Sequence, residues 1–152
     1  GAFLTLTSIT PQRQRTSLKS YFVHPKTTNS VSQHKQQLGK EGEEIATAHL
    51  IKEKYKILAR NYRSGRAEID IIAMKDDLII IVEVKTRETD KYGNPEESVG
   101  TGKINMLAQG AENFMLDRDL HNNVRYDIIS IIKNQYKTDV HHLVDAFWPG
   151  LY

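Results

Sequence analysis

Five consecutive apolar residues, Leu78 to Val82, run directly into the charged triplet Glu83-Val84-Lys85. A short run that is apolar at odd and even positions alike reads as a strand covered on both faces, the kind found at the centre of an α/β layer. It is far below the ~20 residues needed to span a bilayer. Glu83 and Lys85 interrupt it at a place where an unpaired ionised group would be penalised by several kcal/mol. Their compensation must therefore come from neighbouring elements.

Those neighbours can be read from periodicity. Gln33 to Lys54 is predicted to be a helix, with Leu38, Gly42, Ile45, Ala46, His49 and Leu50 recurring at spacings of three and four. Lys56 to Tyr62 reads as a strand, and Ala67 to Met74 with Asp77 to Arg87 as a hairpin around Lys75, Asp76 and Asp77. Thr89 to Asn94 is a polar loop. After Pro95, a residue favoured at helix starts, Val99, Ile104, Leu107, Ala111 and Phe114 trace a second amphipathic helix, with Gly100 and Gly102 in its first turn. Val124 to Lys133 and Val140 to Phe147 complete the series as strands. The expected architecture is an α/β domain of order αβββαββ, a mixed sheet flanked by helices.

Charge divides the chain. Residues 1–40 hold six basic side chains and no acidic one, whereas the remaining 112 residues carry fifteen basic against nineteen acidic, a net of −4. Residues 1–33, rich in Ser, Thr and Gln, read as a basic, flexible extension or a cloning remnant, and residues 34–152 as a single domain. In composition the extension also resembles a transit peptide or a basic arm for nucleic acid. The absence of cysteine excludes disulfide scaffolds, thiolate zinc sites and cysteine nucleophiles, and fits a reducing, cytoplasmic setting.

Strand alternation places Glu68 and Asp70 on one face, and Glu83, Lys85 and Arg87 on one face of the next strand. If the hairpin pairs as expected, these charges converge. Two carboxylates, Asp70 and Glu83, with the Val84 carbonyl between Glu83 and Lys85, form an all-oxygen set suited to Mg²⁺ or Mn²⁺. Lys85 then stands beside the cation, placed to orient or deprotonate a water or to neutralise charge on a phosphate. The same residues would also make a cross-strand salt-bridge cluster. Spacing alone favours the salt-bridge cluster, and the apolar run before Glu83 shifts the reading towards a site.

The stretches Gly39-Lys40-Glu41-Gly42-Glu43 with Ala46, Ile57 to Arg63, Glu68-Ile69-Asp70, Val82 to Arg87, Lys103 and Arg125-Tyr126-Asp127 resemble the YraN-type family of uncharacterised bacterial proteins. That family is assigned to the restriction-endonuclease-like, PD-(D/E)xK nuclease superfamily and is compared with Holliday-junction resolvases. The resemblance covers Leu38 to Phe147 and implies a restriction-endonuclease-like fold. It implies Asp70 and Glu83 as metal ligands, Lys85 as the superfamily lysine and Glu43 as an accessory acid. Ala67 departs from the glycine usual before Glu-Ile-Asp. DNA, branched or duplex, is the implied partner, and a two-fold homodimer would be needed to cut opposed strands.

On a helical wheel Glu43 falls near Ala46 and Leu50 at the edge of the apolar face, which suits a site acid or a helix-start acid. Arg60, Arg63, Arg66, Arg87 and Lys103 are candidates for a phosphate-contacting rim. His141 and His142 alternate faces and read as structural, and Tyr55, Tyr62, Phe114, Phe147 and Trp148 as packing. The leading function class is a metal-dependent DNA endonuclease. Its rivals are a non-catalytic nucleic-acid-binding or adaptor protein that keeps the fold, and a hydrolase of another phosphorylated substrate.

Overall fold

The computed structural model describes residues 27–91 and 93–150, so most of the expected basic extension lies outside the described residues. Helix α1 spans Thr27–Lys52. It begins before Gln33; residues 30–37 are all exposed, so no buried side chain there sets up a period. Lys54, at φ +67°, ends it: the Lys54 amide donates to the Ile51 carbonyl and the Tyr55 amide to the Leu50 carbonyl, closing the helix with a left-handed residue.

Strands β1 (Lys56–Ser64), β2 (Ala67–Lys75) and β3 (Leu78–Arg87) follow, then a 3₁₀ turn at Pro95–Ser98, helix α2 (Thr101–Asp117), and strands β4 (Val124–Lys133) and β5 (Thr138–Leu143). This is the αβββαββ order expected from the sequence. The sheet runs β1-β2-β3-β4-β5. All neighbours are antiparallel except β3 and β4, the parallel pair that α2 crosses over. The β2–β3 hairpin turns through Asp76 and Asp77, both at positive φ, the mirror-image turn that matches strand twist.

The apolar run of β3 is buried on both faces. Ile79 and Ile81 face α2, packing with Ile69, Ile72, Ile104, Leu107, Phe114 and Ile128. Ile80 and Val82 face α1, packing with Ala46, Leu50, Ile71, Ile129 and Ile131. Fully burying each such side chain contributes roughly 1.5–3 kcal/mol, which holds the helix–sheet–helix sandwich together. Among the described residues no helix is long and apolar enough to cross a membrane.

Other expected boundaries move as well, and β1 runs on to Ser64 rather than ending at Tyr62. The second helix proper starts only at Thr101, because the chain first makes the short 3₁₀ turn after Pro95. The last strand occupies Thr138–Leu143 rather than Val140 to Phe147. Its start is set by a tight turn in which the Asn134 side chain accepts the Tyr136 and Lys137 amides. Its end is set by Asp145, at φ +59°, whose amide donates to the buried Asp127.

Candidate active site

The two halves of the sheet part at the charged triplet. β1 stays paired with β2 out to Ala67, and β3 stays paired with β4 out to Arg87, but β2 and β3 pair only from Lys75↔Leu78 to Ile71↔Val82. Beyond that point the sheet forks. The alternation of β2 slips here as well: Ile69 packs towards α2 and Ile71 towards α1, opposite Asn61, whose φ is +49°. Asp70 sits at the slip, and its Oδ2 accepts the Val84 amide at 2.8 Å across the gap. Because the N–H and C=O of one strand residue point the same way, the Val84 carbonyl faces the fork too.

Glu83 follows on β3 and is only 5% exposed. Lys85 Nζ lies 3.4 Å from its Oε1 and Lys103 Nζ, from α2, 3.3 Å from its Oε2. Glu83 Oε2 is nonetheless buried without a hydrogen-bond partner of proper geometry. Burial, then the neighbouring Glu83 carboxylate, pushes the Asp70 carboxyl up to about 7, against the Val84 hydrogen bond. Glu43 adds to this push.

Glu43 reaches the site because α1 crosses β3 at close range. A Cβ on Gly42 would overlap Thr86 Oγ1 and lie 2.8 and 2.9 Å from the Thr86 Cβ and Cγ2. Only glycine allows this approach. Between α1 and the fork lies a cleft of about 770 Å³ lined by Glu43, Asp70, Glu83, Val84, Lys85 and Arg87, with His34, Lys35 and Leu38 as its helical wall. Thus Asp70, Glu83, Lys85 and Glu43, singled out from the sequence, come together. His34, Lys35 and Thr86 were not anticipated; Gly42, on the apolar face of α1, was the signal for Thr86.

The rim residues divide. Arg87 lines the cleft and its Nη1 donates to the Gly93 carbonyl at 3.1 Å, while Lys103 lies at Glu83. Arg60 pairs with Glu44 at 2.9 Å and Arg63 with Glu68 at 3.1 Å. Arg66 is exposed in the β1–β2 turn. These three lie outside the cleft.

The donor set can be tested for a cation. Among the described residues no three His, Asp or Glu side chains form a metal cluster by themselves. Mg²⁺, however, is usually bound by one or two carboxylates and keeps several waters. A buried carboxylate oxygen without a hydrogen bond, beside a second carboxyl that burial disfavours as an anion, is the chemistry that a hard dication relieves. Asp70, Glu83 and the Val84 carbonyl fit such an ion.

A second charged network lies on the α1 face. Asp127, fully buried on β4, takes two hydrogen bonds from Arg125 at 2.8 and 2.7 Å, one from His142 Nε2 at 2.8 Å and one from the Asp145 amide at 2.9 Å. Arg125 also donates to the Tyr55 hydroxyl at 2.9 Å, and His142 Nδ1 meets His49 Nε2 at 3.3 Å. Every charge in it is paired. The adjacent His141 is exposed, so the two histidines alternate in burial as expected for a strand. Tyr55, Phe114 and Phe147 are buried, and Trp148 is half-exposed.

Comparison with known proteins gives one family. The model of "Uncharacterised protein family UPF0102" matches residues 42–131, from the Gly42 crossing to the end of buried β4. A UPF0102 protein of Christiangramia forsetii is 43% identical over 112 residues, 74% of this chain and 94% of the relative. One from Flavobacterium johnsoniae is 41% identical over 116 residues, with 74% and 94% covered. One from Persephonella marina is 43% identical over 110 residues, with 72% and 91% covered.

Proposed function

The chain belongs to the uncharacterised protein family UPF0102, and from the fork in its sheet we propose that it is a divalent-metal-dependent DNA endonuclease. The reaction is hydrolysis of a phosphodiester bond in branched or duplex DNA, as the resemblance to restriction-endonuclease-like proteins implies. One observation carries the reading: half-buried Asp70 and buried Glu83, at the point where two strands separate, share a cleft with Lys85 on the strand of Glu83.

Asp70, Glu83 and the Val84 carbonyl would hold the ion. Mg²⁺ or Mn²⁺ bound there supplies a water of lowered pKa and stabilises charge building on the phosphate. Lys85, 28% exposed at its side chain and two residues beyond Glu83, reaches from the same strand face to orient the attacking water and to offset developing negative charge. Glu43, across the cleft on α1, limits how the water and scissile phosphate approach. Arg87 at the rim positions a flanking phosphate.

Charge argues that recognition is local. Residues 41–152 carry a net of −4, so there is no general attraction for a polyanion, and affinity comes from the cleft, the ion and residues 1–40. This also supports the adaptor alternative. Cleavage of a labelled four-way junction, with matched duplex and single strand as controls, separates the two. The expected result is cutting by wild type in Mg²⁺ or Mn²⁺ that is lost in Lys85→Ala and Asp70→Asn. Equal cutting by all three proteins would reveal a contaminant, and no cutting by wild type would favour the adaptor.

A further inference from the structure

We propose that Lys103 is a tethered counter-ion: its ammonium occupies the cation position beside Glu83 and leaves when a divalent ion enters. The inference rests on the reading of the fork as a cation site and adds how that site is closed without metal. Lys103 belongs to the first turn of α2, two residues after Thr101. That is the positive end of the helix macrodipole, where a lysine is electrostatically misplaced unless something nearby pays for it. Its partner is Glu83 Oε2 at 3.3 Å.

The contact is built to open. Glu83 Oε2 makes no hydrogen bond of proper geometry, so the ammonium is held by charge alone. The Lys103 side chain is 37% exposed, against 6% for that of Glu83, so its head can leave for water while the carboxylate cannot. The turn that carries it has no side-chain cap, and Gly100 and Gly102 on either side of Thr101 have open space where a Cβ would stand. Lys85 differs: it lies on β3, in register with Ser130 of β4, and its backbone is fixed by the sheet.

The charge count gives the consequence. With both lysines in place, the two carboxylates and two ammonium groups sum to zero. Replacing one ammonium by a dication makes the fork more positive by one charge, and the released Lys103 stands at its mouth as a further cation. An incoming phosphate then meets stronger attraction once the metal has bound than before.

The test is calorimetric titration of Mn²⁺, and of non-catalytic Ca²⁺, into the full chain as wild type, Lys103→Met and Lys103→Arg, with Asp70→Asn as the control that removes the site. Expected is binding tightened about tenfold in Lys103→Met, where an ammonium no longer competes, and wild-type binding in Lys103→Arg. The metal-induced rise in Tm should grow in parallel in Lys103→Met. Binding through Asp70 that is equal or weaker in Lys103→Met overturns the counter-ion role and leaves the cation site standing. Absence of binding in wild type and Lys103→Met alike overturns both. Should Lys103→Met fail to fold, Lys103→Gln replaces it with the same expectations.

Discussion

The Asp70 carboxylate accepts the Val84 amide at 2.8 Å just beyond the last backbone pair between their strands, Ile71↔Val82. A side chain thus completes the ladder that the backbone has abandoned. Two things follow from this one bond. It satisfies an amide that the fork would otherwise orphan, and it pins a carboxyl next to Glu83, where burial and like charge oppose its ionisation. The sheet gives up stability at this point, which is common where a fold carries a site.

The first prediction concerns that cost. Asp70 titrates near 7 in the folded chain against about 3.9 when unfolded. Between these values the native state binds more protons than the unfolded one, so this group's contribution to stability falls as pH rises through the window and stays lost above it. Asp70→Asn keeps an acceptor for Val84 and removes the charge. Without divalent ions the variant should be more stable than wild type by roughly 1–3 kcal/mol near pH 8 and about equal near pH 4. Urea unfolding at the two pH values decides it, and a variant less stable near pH 8 contradicts the assignment.

The second concerns the helix crossing. Gly42→Ala forces a methyl into Thr86, so α1 must lift from β3 and take Glu43 away from the cleft. The expected loss is about 2–4 kcal/mol, well above the gain in helix propensity that alanine brings. Thr86→Ala should recover part of it, because the hydroxyl is gone while the Thr86 Cβ, 2.8 Å away, remains. A double-mutant cycle by urea denaturation measures this coupling. Additive losses would show that the contact is not what holds the helix in place.

How far the sequence could be read depends on where each signal resides. The body of α2 was legible because one-sided burial imposes a period, the doubly buried β3 and its hairpin because an unbroken apolar run follows a polar turn, and Asp70, Glu83 and Lys85 because charge stands out against that run. The start of α1 was not, since the exposed residues 30–37 carry no period. The fork itself was also hidden: alternation assumes a regular strand, and β2 slips at Asp70. Nor could spacing show that Lys103 meets Glu83, a contact between a helix and a strand twenty residues apart that exists only after the crossover has folded. Equally invisible to spacing are the pairings of Arg60 with Glu44 of α1 and of Arg63 with Glu68 of β2, contacts between elements rather than along one.

The last prediction turns on Asp127. Burial alone would raise its pKa most, but the hydrogen bonds from His142 and Arg125 and the Asp145 amide together hold it below the ordinary carboxylate range. A depressed native value contributes stability that is complete above the unfolded pKa, about 3.9, and is lost as pH falls through that value towards the native one. Arg125→Ala leaves a fully buried carboxylate without its bidentate partner and should cost about 3–5 kcal/mol at neutral pH. With Arg125 gone the depression lessens, so the remaining acid-induced loss shrinks and the slope of stability against pH below about 4 becomes shallower than in wild type. Urea midpoints across that range test both parts. A cost under about 1 kcal/mol would mean that Asp127 finds other compensation, and an unchanged acid slope would mean that Arg125 is not what keeps it ionised.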